Sequence, residues 1–273
     1  MLLLQDTHRQ TTAPVLQTFA TQKAIEALGH EAVCINYIRT DELPENQTKA
    51  LLSVSRWNKN TATRLLYSVT QKTKESTSGG IFIPLAKSTL EKGGVVFGCA
   101  YDENLVARHI AVEKEADLHK LQGSKYVQSD LSGIYSRVKS ELKDGRNVLF
   151  SGTGCQVAGL RSFLGKDFDN LITVDIVCHG VPSPKLFEKY IGYLGSKLGE
   201  PVKSYNFRSK KRHGRGLFYD VETDNIGKGG SGFDDPYYNA FLNCKTYREG
   251  CYNCRFANCD RQGDITLADF WGI

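Results

Sequence analysis

Val148-Leu149-Phe150-Ser151-Gly152-Thr153-Gly154-Cys155-Gln156 passes from an apolar run through a glycine-rich turn into a stretch with helical spacing. Leu171-Ile172-Thr173-Val174-Asp175-Ile176-Val177-Cys178-His179-Gly180 follows it, rich in Val and Ile and apolar on both faces. The order is strand, tight turn, helix, strand. A helical crossover of this kind makes the two strands parallel. Cys155 then lies just past the carboxyl end of the first strand and Cys178 at the carboxyl end of the second. Ligands of open α/β sheets bind along that edge. Topology alone therefore brings two cysteines that are distant in sequence to one place. Cys155 also opens a helix, where the dipole favours its thiolate. The competing reading of the pair is two buried structural thiols.

Working outward, residues 14–28 show helical spacing opened by Pro14 and ended by Gly29, and Ala32 to Tyr37 predicts a strand. Residues 40–78 are rich in Thr, Lys, Asn and Ser, with one helix predicted around Leu51 to Val69, and a domain boundary is placed there. The predicted division is a fragment over 1–40, a linker over 41–74 and a main domain over 75–273. Within the last, Gly79 to Leu90 predicts a helix, and Val95 to Tyr101 and Leu105 to Val112 predict strands. Leu131, Ile134, Tyr135, Val138 and Leu142 form a helical stripe closed by Gly145. Ser183-Pro184 is an N-cap followed by proline at the first helical position. Strands are predicted near 202–207 and 217–222. The sum is an α/β fold, with a mixed, largely parallel sheet flanked by helices and a small N-terminal helix–strand fragment.

The chain has 273 residues, 40% hydrophobic and 24% charged, the balance of a globular protein with its own core. No run approaches the length of a membrane span, and Met1 to Gln5 is too short and lacks the basic leader of a secretory signal. The expected location is cytoplasmic. A net charge of +5 is weak evidence for an acidic partner, although Arg208 to Arg215 is a basic run suited to a solvated loop or a phosphate grip. No aromatics interleave with it, so nucleic acid is not expected.

Eight cysteines in a chain read as intracellular point to metal or redox chemistry rather than disulfides. Cys34 and Cys99 sit inside apolar runs and read as buried small hydrophobes. Cys244, Cys251, Cys254 and Cys259 fall close together around a Cys-x-x-Cys. Either these four hold zinc in a local knuckle, or Cys251 and Cys254 join Cys155 and Cys178 on a 4Fe–4S cluster. A thiol-rich surface loop is the blandest reading. Ser78, Gly79 and Gly80 open a helix, Ser124, Lys125 and Tyr126 form a polar island, and Gly152, Thr153 and Gln156 belong to an amide-rich turn. Backbone donors at such points suit a pyrophosphate or the polar edge of a flavin, and Lys125 is the one fixed charge among them. His179, beside Cys178, is a candidate proton or hydrogen-bond partner.

Taken in order, Ser78-Gly79-Gly80, Gly123-Ser124-Lys125-Tyr126, Ser151 to Gln156, Cys178-His179-Gly180-Val181-Pro182-Ser183-Pro184, Cys251-x-x-Cys254 and Asp264 to Ile273 resemble the coenzyme F-420 hydrogenase/dehydrogenase beta-subunit family over about residues 75–273. The resemblance implies an oxidoreductase subunit with FAD beside a 4Fe–4S cluster on Cys155, Cys178, Cys251 and Cys254. Such a subunit passes electrons between the cluster and a hydride acceptor or donor, which is a deazaflavin in archaeal relatives. It implies a ferredoxin-like electron donor or acceptor, or a partner subunit. Bacterial relatives often accompany surface-polysaccharide genes. This sequence shows no ferredoxin-like Cys-rich module, stops earlier than the relatives, and carries Gly154 where they usually have proline. Residues of about 10–40 are similar to the first helix of polysaccharide pyruvyl transferases, without the glycine-rich turn. Two other functions stand beside the redox enzyme: a catalytically silent metal-binding partner module and a transferase-related protein.

Overall fold

The computed structural model describes residues 2–6, 33–37, 80–212, 216–258 and 260–268, the first two segments as backbone only. The helix expected over 14–28, the linker over 41–74, Ser78, Gly79, Cys259 and Asp269 lie outside the described residues. Strands β1 (Leu2–Asp6) and β2 (Val33–Tyr37) pair in parallel. The main body begins with α1 (Phe82–Glu91), β3 (Val95–Tyr101) and β4 (Ala107–Val112), and a 3-10 turn covers Glu115–Leu121. It continues with α2 (Ile134–Lys143), β5 (Val148–Thr153), α3 (Gly154–Leu164), β6 (Leu171–Ile176) and α4 (Pro184–Leu198). The remaining elements are β7 (Ser204–Phe207), β8 (Phe218–Glu222), β9 (Gly227–Ser231), α5 (Pro236–Leu242), α6 (Glu249–Tyr252) and β10 (Ile265–Leu267).

The central sheet has the order β10-β6-β5-β3-β4, parallel throughout except for β4, which runs antiparallel to β3. This is the mixed, largely parallel α/β sheet predicted. Alternation along its strands supplies two faces. Val96, Leu149, Val174 and Ile265 point to a core with Ile81, Leu85 and Ala86 at the start of α1. Val95, Phe97, Val148 and Phe150 point the other way, onto Val138 and Leu142 of α2 and Val157, Leu160 and Leu164 of α3. Strand β5 is buried on both faces and reads as a continuous apolar run, whereas β6, expected to be the same, leaves Ile172 and Ile176 exposed and buries Thr173 and Asp175. Each large side chain buried here contributes roughly 1.5–3 kcal/mol.

A three-stranded antiparallel sheet, β7-β8-β9, lies beyond α4. It encloses an aromatic core of Phe187, Tyr190, Tyr205, Phe207, Tyr237, Tyr238 and Phe241. Asp235 caps α5 by accepting from the Tyr238 amide at 2.8 Å, and the Tyr190 hydroxyl donates to the same carboxylate. The basic run is paired within this layer: Arg212 meets Asp220 at 2.8 Å and Lys211 meets Glu222. Those two charges face carboxylates of β8 rather than a phosphate. Among the described residues no helix is long and apolar enough to cross a membrane.

Candidate functional site

The register of β5 on β6 fixes the centre of the site. Thr153 pairs with Ile176, so Cys155 and Cys178 each lie two residues past paired positions on one sheet edge. Gln156 reaches back from the first turn of α3 to accept from the Thr153 amide at 2.9 Å, half of a capping box. The Thr153 hydroxyl lies 3.2 Å from Cys155 Sγ. Cys155 is exposed, whereas Cys178, Cys251 and Cys254 are partly buried, and all four are free thiols.

Segment 244–254 is docked against Cys178-His179-Gly180. Gly180 has φ 135°, and a Cβ there would lie 2.4 Å from the Tyr247 ring, so no other residue fits. The Arg248 amide donates to Val181 O at 2.9 Å, and the Cys251 amide to Arg248 O at 2.8 Å. The following loop is held by Arg261. Its Nη2 meets Asp175 Oδ2 at 2.7 Å, and its Nη1 donates to Phe256 O at 3.2 Å. A Cβ added to Gly154 would lie 3.5 Å from Phe256 Cβ and 3.8 Å from Arg261 Nη2, so this loop borders the start of α3.

These contacts dock the segment that carries Cys251 and Cys254 beside Cys178. The Cys178 thiol is pushed above its ordinary range first by burial and then by Cys155, Cys251 and Cys254, with the Gly180 amide at 3.4 Å acting the opposite way. Cys244 takes a different position, exposed with φ 57° and donating to the Tyr247 hydroxyl at 3.3 Å. Among the described residues, no three His, Cys, Asp or Glu side chains form a group that would hold a metal ion. His179 is exposed, in hydrogen-bond contact with the Tyr247 hydroxyl, and packs on Phe241 with ring centroids 4.9 Å apart. Partial burial lowers its pKa.

The residues expected to meet a flavin are spread over neighbouring elements, and several are engaged locally. Gly80 is described at the start of the α1 segment, with φ 77°. Ser124 forms an isolated antiparallel bridge with Phe207. Tyr126 stacks on Phe241 with centroids 4.3 Å apart, as part of the aromatic core. Gly152 makes room for Gln156, whose Oε1 would lie 3.0 Å from a Cβ there. Lys125 folds back so that its ammonium donates to Gln122 O at 2.8 Å and Gly123 O at 3.2 Å, 5.7 Å from the Tyr101 ring centroid. Burial lowers its pKa, and Cys99 opposes that shift.

A directed chain of hydrogen bonds runs from His109 to Gln156, the residue after Cys155, and nothing in the sequence announced it. His109 Nε2 donates to Ser151 O at 3.0 Å, so Nδ1 accepts from Ser129 Oγ at 3.0 Å, and Ser129 Oγ accepts from Gln156 Nε2 at 2.8 Å. Burial lowers the His109 pKa to about 4, so the ring is neutral and its tautomer is set by these partners. Tyr135 donates to Gln156 O at 2.7 Å, and burial followed by Cys155 raises its pKa to about 12. Asp264, which opens the last of the quoted motifs, accepts from the Thr173 amide at 2.8 Å and from Arg161 at 2.6 Å, pinning the start of β10.

Residues 145–272 match a family model that describes the C-terminal part of the coenzyme F420 hydrogenase/dehydrogenase beta subunit. The matched segment contains all four cysteines of the site. No curated protein matches the chain. A solved chain of the F420-reducing NiFe hydrogenase complex from Methanosarcina barkeri is similar at 20% identity and a TM-score of 0.44, with 66% of this chain covered. The chain spans 60% of the length of that solved chain.

Proposed function

We propose that this chain is a redox subunit of the coenzyme F-420 hydrogenase/dehydrogenase beta-subunit type, with a 4Fe–4S cluster on Cys155, Cys178, Cys251 and Cys254 and FAD beside it. One observation carries the reading: two separate parts of the chain deliver four free thiols to one sheet edge, where three of them act on the ionisation of the fourth. The donor set fits the group. Thiolates on one zinc at about 2.3 Å stand about 3.8 Å apart, whereas a four-iron cluster takes one cysteine per iron and spreads its ligands more widely.

The flavin reading rests on Lys125. Its ammonium bonds two carbonyl oxygens and, among the described residues, pairs with no carboxylate. A partly buried cation of that kind favours an anionic group beside it. A flavin bound there would exchange a hydride, two electrons and a proton, and pass the electrons singly to the cluster. The protein's part is to hold and orient. The Gln156–Ser129–His109 chain fixes the turn that carries Cys155, and the neutral His109 adds no charge to the site. Exposed Cys155 marks the open side, where a ferredoxin-like partner or companion subunit would deliver or collect electrons.

Anaerobic purification of the full chain, with iron, acid-labile sulfide and flavin measured per chain, tests this reading. Four iron and one flavin are expected. Serine at Cys155, Cys178, Cys251 or Cys254 should lower iron sharply, and Cys244→Ser should leave it unchanged. Zinc in place of iron, or iron that survives the Cys155 and Cys178 substitutions, would overturn the shared cluster.

A further inference from the structure

Arg261 has five N–H donors in a planar fork. Its Nη1 donates to Phe256 O at 3.2 Å and Asn258 O at 3.4 Å, both on the loop that follows Cys254. Its Nη2 donates to Asp175 Oδ2 at 2.7 Å and to Ile176 O at 3.3 Å, both on β6 just before Cys178. The pair is shut away from water, with side chains 11% and 0% exposed. Asp175 is already shared: its Oδ1 accepts from Thr266 Oγ1 at 2.5 Å, and its Oδ2 from the Gln262 amide at 3.4 Å. Nε–H is the donor left over, buried and without a partner among the described residues. An unpaired buried donor is unfavourable, more so on a charged group. This one belongs to a guanidinium that borders the start of the Cys155 helix.

We propose that Arg261 is the positioning residue of the cysteine site: its two Nη groups latch the Cys254 loop to β6, and its Nε–H is offered to the negatively charged group that the four cysteines hold. The second half rests on the cluster reading above. Four thiolates on a four-iron core carry net negative charge, and a fixed cation with a free donor stabilises the reduced, more negative form. Lysine keeps the charge but cannot span four acceptors on two segments. The latch is thus a matter of fork geometry, and the effect on the cluster a matter of charge and one N–H.

The test uses the full chain with Arg261→Lys and Arg261→Met, each checked for native circular dichroism. In metal-free, reduced protein, iodoacetamide labelling read by peptide mass spectrometry should show Cys251 and Cys254 reacting about tenfold faster in both variants, with Cys244 as the internal reference. After reconstitution with iron and sulfide, the midpoint potential should be most negative in Arg261→Met and intermediate in Arg261→Lys. If the methionine variant fails to fold, the lysine variant still carries both readouts. Unchanged labelling overturns the latch, and equal potentials overturn the Nε–H assignment. A wild-type chain that takes up no iron overturns the cluster reading and the donor role with it, while the labelling still decides the latch.

Discussion

Lys125 and His109 lie in one buried polar region and respond to substitution in different ways. Lys125→Ala removes a cation without touching any cysteine, so the purified variant should lose flavin and retain iron. Full flavin occupancy in that variant would remove Lys125 from the site. His109 is held neutral, with a folded pKa of about 4 against an ordinary value of 6.5. The unfolded chain therefore binds the extra proton first, and the stability His109 contributes is complete above about pH 6.5 and lost as pH falls toward 4. The upper bound is about 3 kcal/mol. Urea midpoints at pH 7.5 and 4.5 should fall less in His109→Asn than in the wild type, and equal falls would refute the assignment. Gly180→Ala forces a Cβ into the Tyr247 ring at a φ that disfavours side chains, and should cost about 1–3 kcal/mol together with weaker iron retention.

Among the elements, β10 is the short piece on which the site depends. Its three residues pair with β6 only over Val174 to Ile176, and Asp264 ties its start to Thr173 and Arg161. Asp264→Ala leaves the Thr173 amide without its acceptor, at a cost of about 1–3 kcal/mol. Thermal denaturation should show that loss, and Asp264→Asn a smaller one. The elements legible in the sequence, α1, β3, β4, β5, β6, β7, β8, α2 and α4, were those with apolar patterning or a capping signal. The α3 helix begins at Gly154, beside the Cys155 expected to open it, and Gln156 helps to cap it through the Thr153 amide. Strand β9 reads Gly227-Lys228-Gly229-Gly230-Ser231 and carries no strand signal at all. Its conformation comes from pairing with β8, a tertiary effect that propensity does not encode.

For the molecule as a whole, half of the site followed from topology and half from spacing. The βαβ order placed Cys155 with Cys178, and Cys-x-x-Cys placed Cys251 with Cys254. What joins the halves includes Gly180 under Tyr247, Arg248 on Val181 and Arg261 with Asp175, and these occupy positions with no pattern to mark them. The same holds for His109, which follows Arg108 in β4 and carries no pattern of its own. Unequal burial also predicts unequal opening. Amides of β5, buried on both faces, should be among the slowest to exchange with deuterium, and those of β9 among the fastest. Comparable protection in the two strands would contradict that division. The Arg261–Ile176 contact joins residues 85 apart in sequence. Strands β5 and β6 with the first two cysteines are synthesised well before the second pair, and β10, which pairs with β6, comes after it. If the proposed cluster forms, a nascent or clipped chain ending before residue 250 would offer only two of its four ligands, so stable loading would wait for the later segment.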